Sequence, residues 1–220
     1  MNREKRRLQN ASTGHQKKSF YKLLKNIEGV ILEKRIEQWI PIVYLFGQTS
    51  DNQISVLSRG MELWKKKLVA SILINDGEIK HGYPGFASWK HELLRMGVVE
   101  NAILPLRSNI LNENVNTYTE ARALVLYARA HGWKRIYISA SPFHQLRAFI
   151  STVSVLLREY PSLCVYNAVG TPLPWSETVR HSQGTLIGKR RDFLKTELES
   201  IYCYYLKGDL VPPEKVLAYL

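Results

Sequence analysis

The chain has 220 residues, 45% hydrophobic and 23% charged, with 31 Lys and Arg against 19 Asp and Glu for a formal charge of +12. That is enough for one sizeable α/β domain, and the composition is ordinary for a globular one. No stretch nears the roughly 20 apolar residues of a membrane span, and Cys164 and Cys203 make neither a metal spacing nor a disulfide framework.

Residues 1–40 hold ten Lys or Arg and four Asp or Glu, so half of the net charge lies there. The start, MNREKRRLQN, has no apolar core, so it does not read as a secretory signal, and a cytoplasmic protein is the expectation. A basic arm is a solvated segment or a surface for an anionic membrane, nucleic acid or phosphorylated ligand. Phe20, Leu23, Leu24, Ile27, Val30 and Ile31 recur at helical spacing and predict a helix over 18–38 with its apolar face on the domain. The other use of such a basic amphipathic helix is peripheral membrane contact.

The run Pro41–Phe46 reads as a buried parallel strand ended by Gly47-Gln48. Ile54, Leu57, Met61 and Trp64 predict a helix that carries Arg59. Val69–Ile74 is a second strand, ended by Asn75-Asp76-Gly77, and Gly77–Ala87 is a loop. Trp89, Leu93 and Leu94 predict a helix capped near Gly97. Ala102–Leu106 is a third strand, 108–116 is Asn-rich and irregular, and Thr117–His131 is a helix stopped by Gly132. The stretch Arg135–Arg147, RIYISASPFHQLR, predicts a strand, a turn and the first turns of a helix. Leu163–Ala168 is a fifth strand with Cys164 as a small core residue, and Gly170–Trp175 is a loop. With Arg180-His181 that loop is a candidate lid. Phe193–Tyr205 is a helix, and Pro212-Pro213 precedes a short last one. This alternation predicts an α/β fold: a parallel sheet with helices on both faces over 39–220, preceded by the basic arm and helix of 1–38 and closed by C-terminal helices.

In such a sheet the carboxyl ends of the strands share one edge, where ligands bind. Four polar strand ends meet that description: Gly47-Gln48, Asp76, the segment before Thr117, and Ser139–Ser141. His144 and Arg147 follow at a helix start, where unpaired N–H groups and the helix dipole favour anions. His144 is a candidate acid/base and Asp76 a candidate base or turn residue. A charged Arg147 one turn away disfavours a charged imidazole. Arg59 and Arg147 are candidate cations for a small anionic ligand. Thr117-x-x-Glu120 reads as a capping box, with Asn116 at the same helix mouth. Gly184-x-x-x-Gly188-Lys189 is one residue short of a phosphate-binding loop, and no metal spacing occurs. The basic residues have little aromatic interleaving, which argues against specific nucleic-acid binding.

Taken in order, Leu45–Gln48, Arg59, Asn116-Thr117-Tyr118-Thr119-Glu120 and Ser141-Pro142-Phe143-His144-Gln145-Leu146-Arg147-Ala148 resemble the YdcF/SanA/ElyC-like family over about Pro41–Val169. The second strand departs, with Asn75-Asp76-Gly77 where the family has Ser-Gly-Gly. The resemblance implies a Rossmann-like fold with a site at its switch point. It implies a nucleotide-like or phosphorylated ligand, with S-adenosylmethionine one candidate cofactor. Ligand residues on this pattern are Gly47, Gln48, Arg59, Asn116, Thr117, Glu120, Ser139, Ser141 and Arg147. The readings open at this point are a group-transfer enzyme or hydrolase, a non-catalytic nucleotide or S-adenosylmethionine module, and an interaction protein acting through its basic arm.

Overall fold

A computed structural model describes residues 14–33, 38–79, 82–107, 116–181 and 185–220. Five strands form one parallel sheet: β1 (Ile42–Leu45), β2 (Ser71–Asn75), β3 (Ile103–Leu106), β4 (Arg135–Ser139) and β5 (Cys164–Asn167). Their order is β3-β2-β1-β4-β5, so the chain runs outward from β1, returns to pair β4 on the other side of β1, and ends in β5. This is the Rossmann-like α/β fold, and its switch point lies between β1 and β4.

Alternation within the central strands divides the core. Ile42, Tyr44 and Phe46 face α4 (Thr117–Ala130) and α5 (Gln145–Glu159). Val43 and Leu45 face α2 (Gln53–Lys65) and α3 (Phe86–Arg95). Because both faces are covered, every residue of β1 is buried, which is why it reads as a continuous apolar run. Gly97 and Gly132 follow α3 and α4 at φ of 90° and 67°, the left-handed geometry that a glycine permits without strain.

Helix α1 spans Gly14–Glu33 and begins earlier than its periodicity predicts. Its stripe of Phe20, Leu24, Ile27 and Ile31 is buried in the same core as β1 and α5, so this apolar face is spent on the domain. Helices α6 (Phe193–Lys207) and α7 (Pro213–Tyr219) complete that layer. The arm over 1–13, most of the Asn-rich segment, and Gly184 of the failed phosphate loop lie outside the described residues. Among the described residues no helix is long and apolar enough to cross a membrane.

One expectation is corrected. Cys164 is exposed rather than in the core, because β5 is an edge strand and Cys164 opens it. Gly170–Trp175 is a loop as expected, and beyond it lies an element that the sequence reading does not include: β6 (Thr178–His181) and β7 (Leu186–Lys189) form an antiparallel hairpin. Neither strand makes a buried apolar run: TVRH has one apolar side chain, and LIGK is mostly exposed.

Replacing Leu24 by Ala should cost about 2–5 kcal/mol, the usual loss for emptying a fully buried leucine site. Urea unfolding measures it. A loss below about 0.5 kcal/mol would mean that α1 is not part of the cooperative core.

Candidate functional site at the switch point

The ends of β1 and β4 are joined by hydrogen bonds beyond the sheet. Phe46 N donates to Ser139 O at 2.8 Å. Gln48 then bridges the two loops. Its Nε2 donates to the Phe46 carbonyl at 3.3 Å and lies 3.1 Å from His144 Nδ1, while its Oε1 accepts the Ser141 hydroxyl at 2.8 Å. A carbonyl can only accept, so the amide nitrogen must face Phe46, and Nδ1 of His144 is an acceptor. The imidazole proton is thereby assigned to Nε2, which donates to Thr117 Oγ1 at 3.1 Å. That leaves the Thr117 hydroxyl proton for another acceptor.

Gln48, Thr117, Ser141 and His144 are all at least nine-tenths buried. Burial first, and the positive charge of Arg147 second, push the His144 pKa down to about 3. The ring is therefore neutral throughout the physiological range, as its spacing from Arg147 predicts.

Glu120 has a different place from the one its spacing suggests. The capping box exists, but one residue earlier. Asn116 Oδ1 accepts from Tyr118 N at 2.9 Å and Thr119 N at 3.1 Å, and Thr119 Oγ1 accepts from Asn116 N at 2.9 Å. A threonine hydroxyl at this position reaches back as a glutamate would. Glu120 turns inward instead. Its Oε1 accepts the Tyr44 hydroxyl at 2.5 Å and Gly47 N at 2.7 Å. Burial raises its pKa to about 7, against the opposing pull of those two donors.

Arg147 is engaged within the protein. Its Nε and Nη2 donate to the two oxygens of Glu197 at 2.5 and 2.9 Å, a bidentate pair with side chains 12% and 4% exposed. Burial disfavours both charges, yet each partner stabilises the other: the Glu197 pKa falls below and the Arg147 pKa rises above its ordinary value. His181 Nε2 meets the same carboxylate at 2.6 Å, its ring set against Phe143 and Phe193.

The other residues on the sequence pattern are spread along the same edge. Arg59 donates to Val169 O at 2.7 Å and pairs with Glu62 at 2.6 Å, which ties α2 to the segment after β5. Asp76 is exposed at the end of β2, with Arg107 at 3.6 Å. The Ser139 hydroxyl is buried with no hydrogen-bond partner and stands outside the Gln48 network. So Gly47, Gln48, Thr117, Glu120, Ser141 and His144 come together, Ser139 joins them through its backbone alone, and Arg59 and Asp76 pair elsewhere.

The hairpin crosses the loop after β1. Arg180 N donates to Asp51 Oδ2 at 2.7 Å, and Arg180 O accepts from Thr49 Oγ1 at 2.8 Å and Asn52 Nδ2 at 3.0 Å. The fully buried Arg190 fixes its base through Asn52 Oδ1 at 2.9 Å, Glu177 Oε2 at 2.9 Å, Asp51 O at 3.2 Å and the Pro174 carbonyl. This holds His181 beside His144, with ring centroids 6.1 Å apart.

Sequence reasoning misses Tyr44, Glu197 and Arg190. Glu197 carries a readable signal: it stands midway between Phe193 and Ile201, in the buried stripe of α6 where an acid needs a partner. Among the described residues no group of three His, Cys, Asp or Glu side chains is placed to hold a metal ion. Comparison with protein-family models and with curated proteins finds no match.

Arg147→Ala leaves Glu197 buried with His181 as its remaining side-chain partner among the described residues, and should destabilise the fold by about 3–5 kcal/mol. Denaturant titration reads this directly. A loss under about 1 kcal/mol would show the pair to be effectively solvated.

A second prediction follows from linkage. Glu120 ionises at about 7 in the fold and at its ordinary 4.5 when unfolded, so the fold binds its proton more tightly. Its contribution is complete below pH 4.5 and is lost as pH rises through 7. His144 acts in the opposite sense: its contribution is complete above 6.5 and lost as pH falls toward 3. The stability advantage of the native chain over Glu120→Gln should therefore shrink by about 3 kcal/mol between pH 4.5 and pH 7. A pH-independent difference between the two unfolding free energies would contradict the assignment.

Proposed function

We propose that this protein binds a nucleotide-like or phosphorylated small molecule at the carboxyl edge of its sheet and transforms it by hydrolysis or group transfer. The observation that carries this reading is the polar network at the switch point. Gln48, Thr117, Ser141 and His144 come from three separate segments and meet in one buried set of hydrogen bonds where β1 and β4 diverge. Apolar side chains would fill that volume with less risk, because every member of a buried polar network must be satisfied. Open α/β sheets bind their ligands at this crevice. The likeness of Asn116–Glu120 and Ser141–Ala148 to the YdcF/SanA/ElyC-like pattern points the same way, with S-adenosylmethionine or a nucleotide as the first ligands to try.

In this reading Thr117 offers its hydroxyl to the ligand, and His144 and Gln48 hold that hydroxyl in place. Asp76 stands farther along the edge and is a candidate for the ligand's outer part. A second reading, a binding module without chemistry, draws support from His144 and Arg147. Both ring nitrogens of the one and two guanidinium nitrogens of the other are used inside the protein.

Native mass spectrometry of the purified full chain, followed by calorimetric titration with AMP and S-adenosylmethionine, tests the binding. Thr117→Val should weaken the tighter of the two by about tenfold or more, because a buried hydrogen bond to the ligand is lost. Removing residues 1–13 should leave the affinity unchanged. No retained mass and no binding of either compound would overturn the reading. Loss of binding on removing the arm would transfer the function to the arm.

A further inference from the structure

We infer that Glu120 is the general base of the switch-point site, with Oε2 as the atom that receives the proton. This rests on the reading that a phosphorylated ligand is bound there. The geometry of the carboxylate carries it. Both of its hydrogen bonds, from Tyr44 and from Gly47 N, fall on Oε1. Among the described residues neither donor reaches Oε2, and Glu120 as a whole is 5% exposed. The carboxylate lies against the α-carbon of Gly47: a Cβ built there would sit 3.5 Å from Oε1, 3.7 Å from Oε2 and 3.9 Å from the Tyr83 ring, ordinary contact distances. With no side chain at Gly47, the position a Cβ would take against the carboxylate is left unfilled.

A purely structural clamp does not account for this residue. Tyr44 and Gly47 need one acceptor oxygen between them, and the amide oxygen of a glutamine supplies it without burying a charge. What a carboxylate adds is a second oxygen and a proton that comes and goes. Burial brings that proton into the range of pH where a base works best. His144 cannot take this part, since burial and Arg147 make its ring a weak base, with a pKa of about 3, and both nitrogens are occupied. The step is then a hydrolysis. Oε2 takes a proton from a water as the water oxygen bonds to the phosphorus of a phosphoester. The bond from phosphorus to the leaving oxygen breaks, and that oxygen keeps the electron pair. The proton on Glu120 passes to the leaving oxygen, which restores the carboxylate.

Glu120→Gln is a clean variant, because its amide oxygen accepts from the same two donors. Turnover of p-nitrophenyl phosphate, bis(p-nitrophenyl) phosphate and ATP by the full chain is measured from about pH 5.5 to about pH 8.5, with thermal melting of each variant. For whichever probe the native chain hydrolyses, kcat/KM should rise with pH and level off above about 7. Glu120→Gln should lower it by about 100-fold or more and flatten the profile. Glu120→Asp should restore part of the rate. Tyr44→Phe removes a donor that favours the ionised carboxylate, so it should move the inflection to higher pH. A Glu120→Gln protein with native rates and a native pH profile overturns the base and leaves the binding reading standing. A native chain inert to all three probes overturns the hydrolysis itself.

Discussion

The Gln48 amide is the joint on which the site depends. At a switch point the two central strands stay paired to their ends, Leu45 beside Ser139, and the segments that follow them leave toward opposite faces of the sheet. Gln48 joins those segments with one side chain, accepting from Ser141 after β4 and donating toward Phe46 and His144. Because the Phe46 carbonyl fixes which end of the amide is nitrogen, the protonation of His144 follows, and with it the direction of the bond to Thr117. A single buried amide thus sets the polarity of a chain of groups drawn from β1, α4 and the β4–α5 turn. Its energetic weight lies less in the net gain of each bond than in the cost of leaving any of these buried groups unpaired.

The segment after β5 is held to the same edge by charge rather than by apolar area. Phe143, Val179 and Phe193 form only a small cluster of their own. Arg190 and the Glu197 pair supply the rest: one guanidinium binds the hairpin base to the start of α2, and one carboxylate ties α6 to both α5 and β6. Each of these groups is buried, so removing one partner strands the other. The hairpin is therefore fastened over the site at defined points.

Much of the fold is legible in the residues because its signals are local. Continuous apolar runs mark strands covered on both faces, and the stripe of α1 marks the face it buries. The boundaries and the edge strand are less legible: the hydropathy of Cys164 is the same whether β5 is central or lateral. Within the site, residues near one another in sequence are readable and pairings across the chain are not. Asn116–Glu120 announces a helix start, yet it does not say that Thr119 completes the cap and releases Glu120 to Tyr44 and Gly47, more than 70 residues away. Tyr44 looks like any aromatic in a core strand, since only the fold brings an acid to its hydroxyl. Arg147 shows its charge but not that α6 brings Glu197 to meet it.

That last pairing bears on where an anion could sit. A cation in the first turn of α5 opposes the helix dipole, and α5 has no side-chain cap. Glu197 answers the first, placing a carboxylate against Arg147 near the positive end of the helix. The position that a helix start and an arginine seem to reserve for a ligand is filled from within the chain. Arg59 is likewise spent, on Val169 and Glu62. A ligand drawn to this edge would therefore meet the β1 side of the crevice, where Gly47 has no side chain, Thr117 has a proton to offer and both described donors to Glu120 fall on one oxygen. Its negative charge would be easiest to accept while Glu120 is protonated, and its chemistry easiest to start once that proton has left, a conflict that a carboxylate poised near neutrality is suited to resolve.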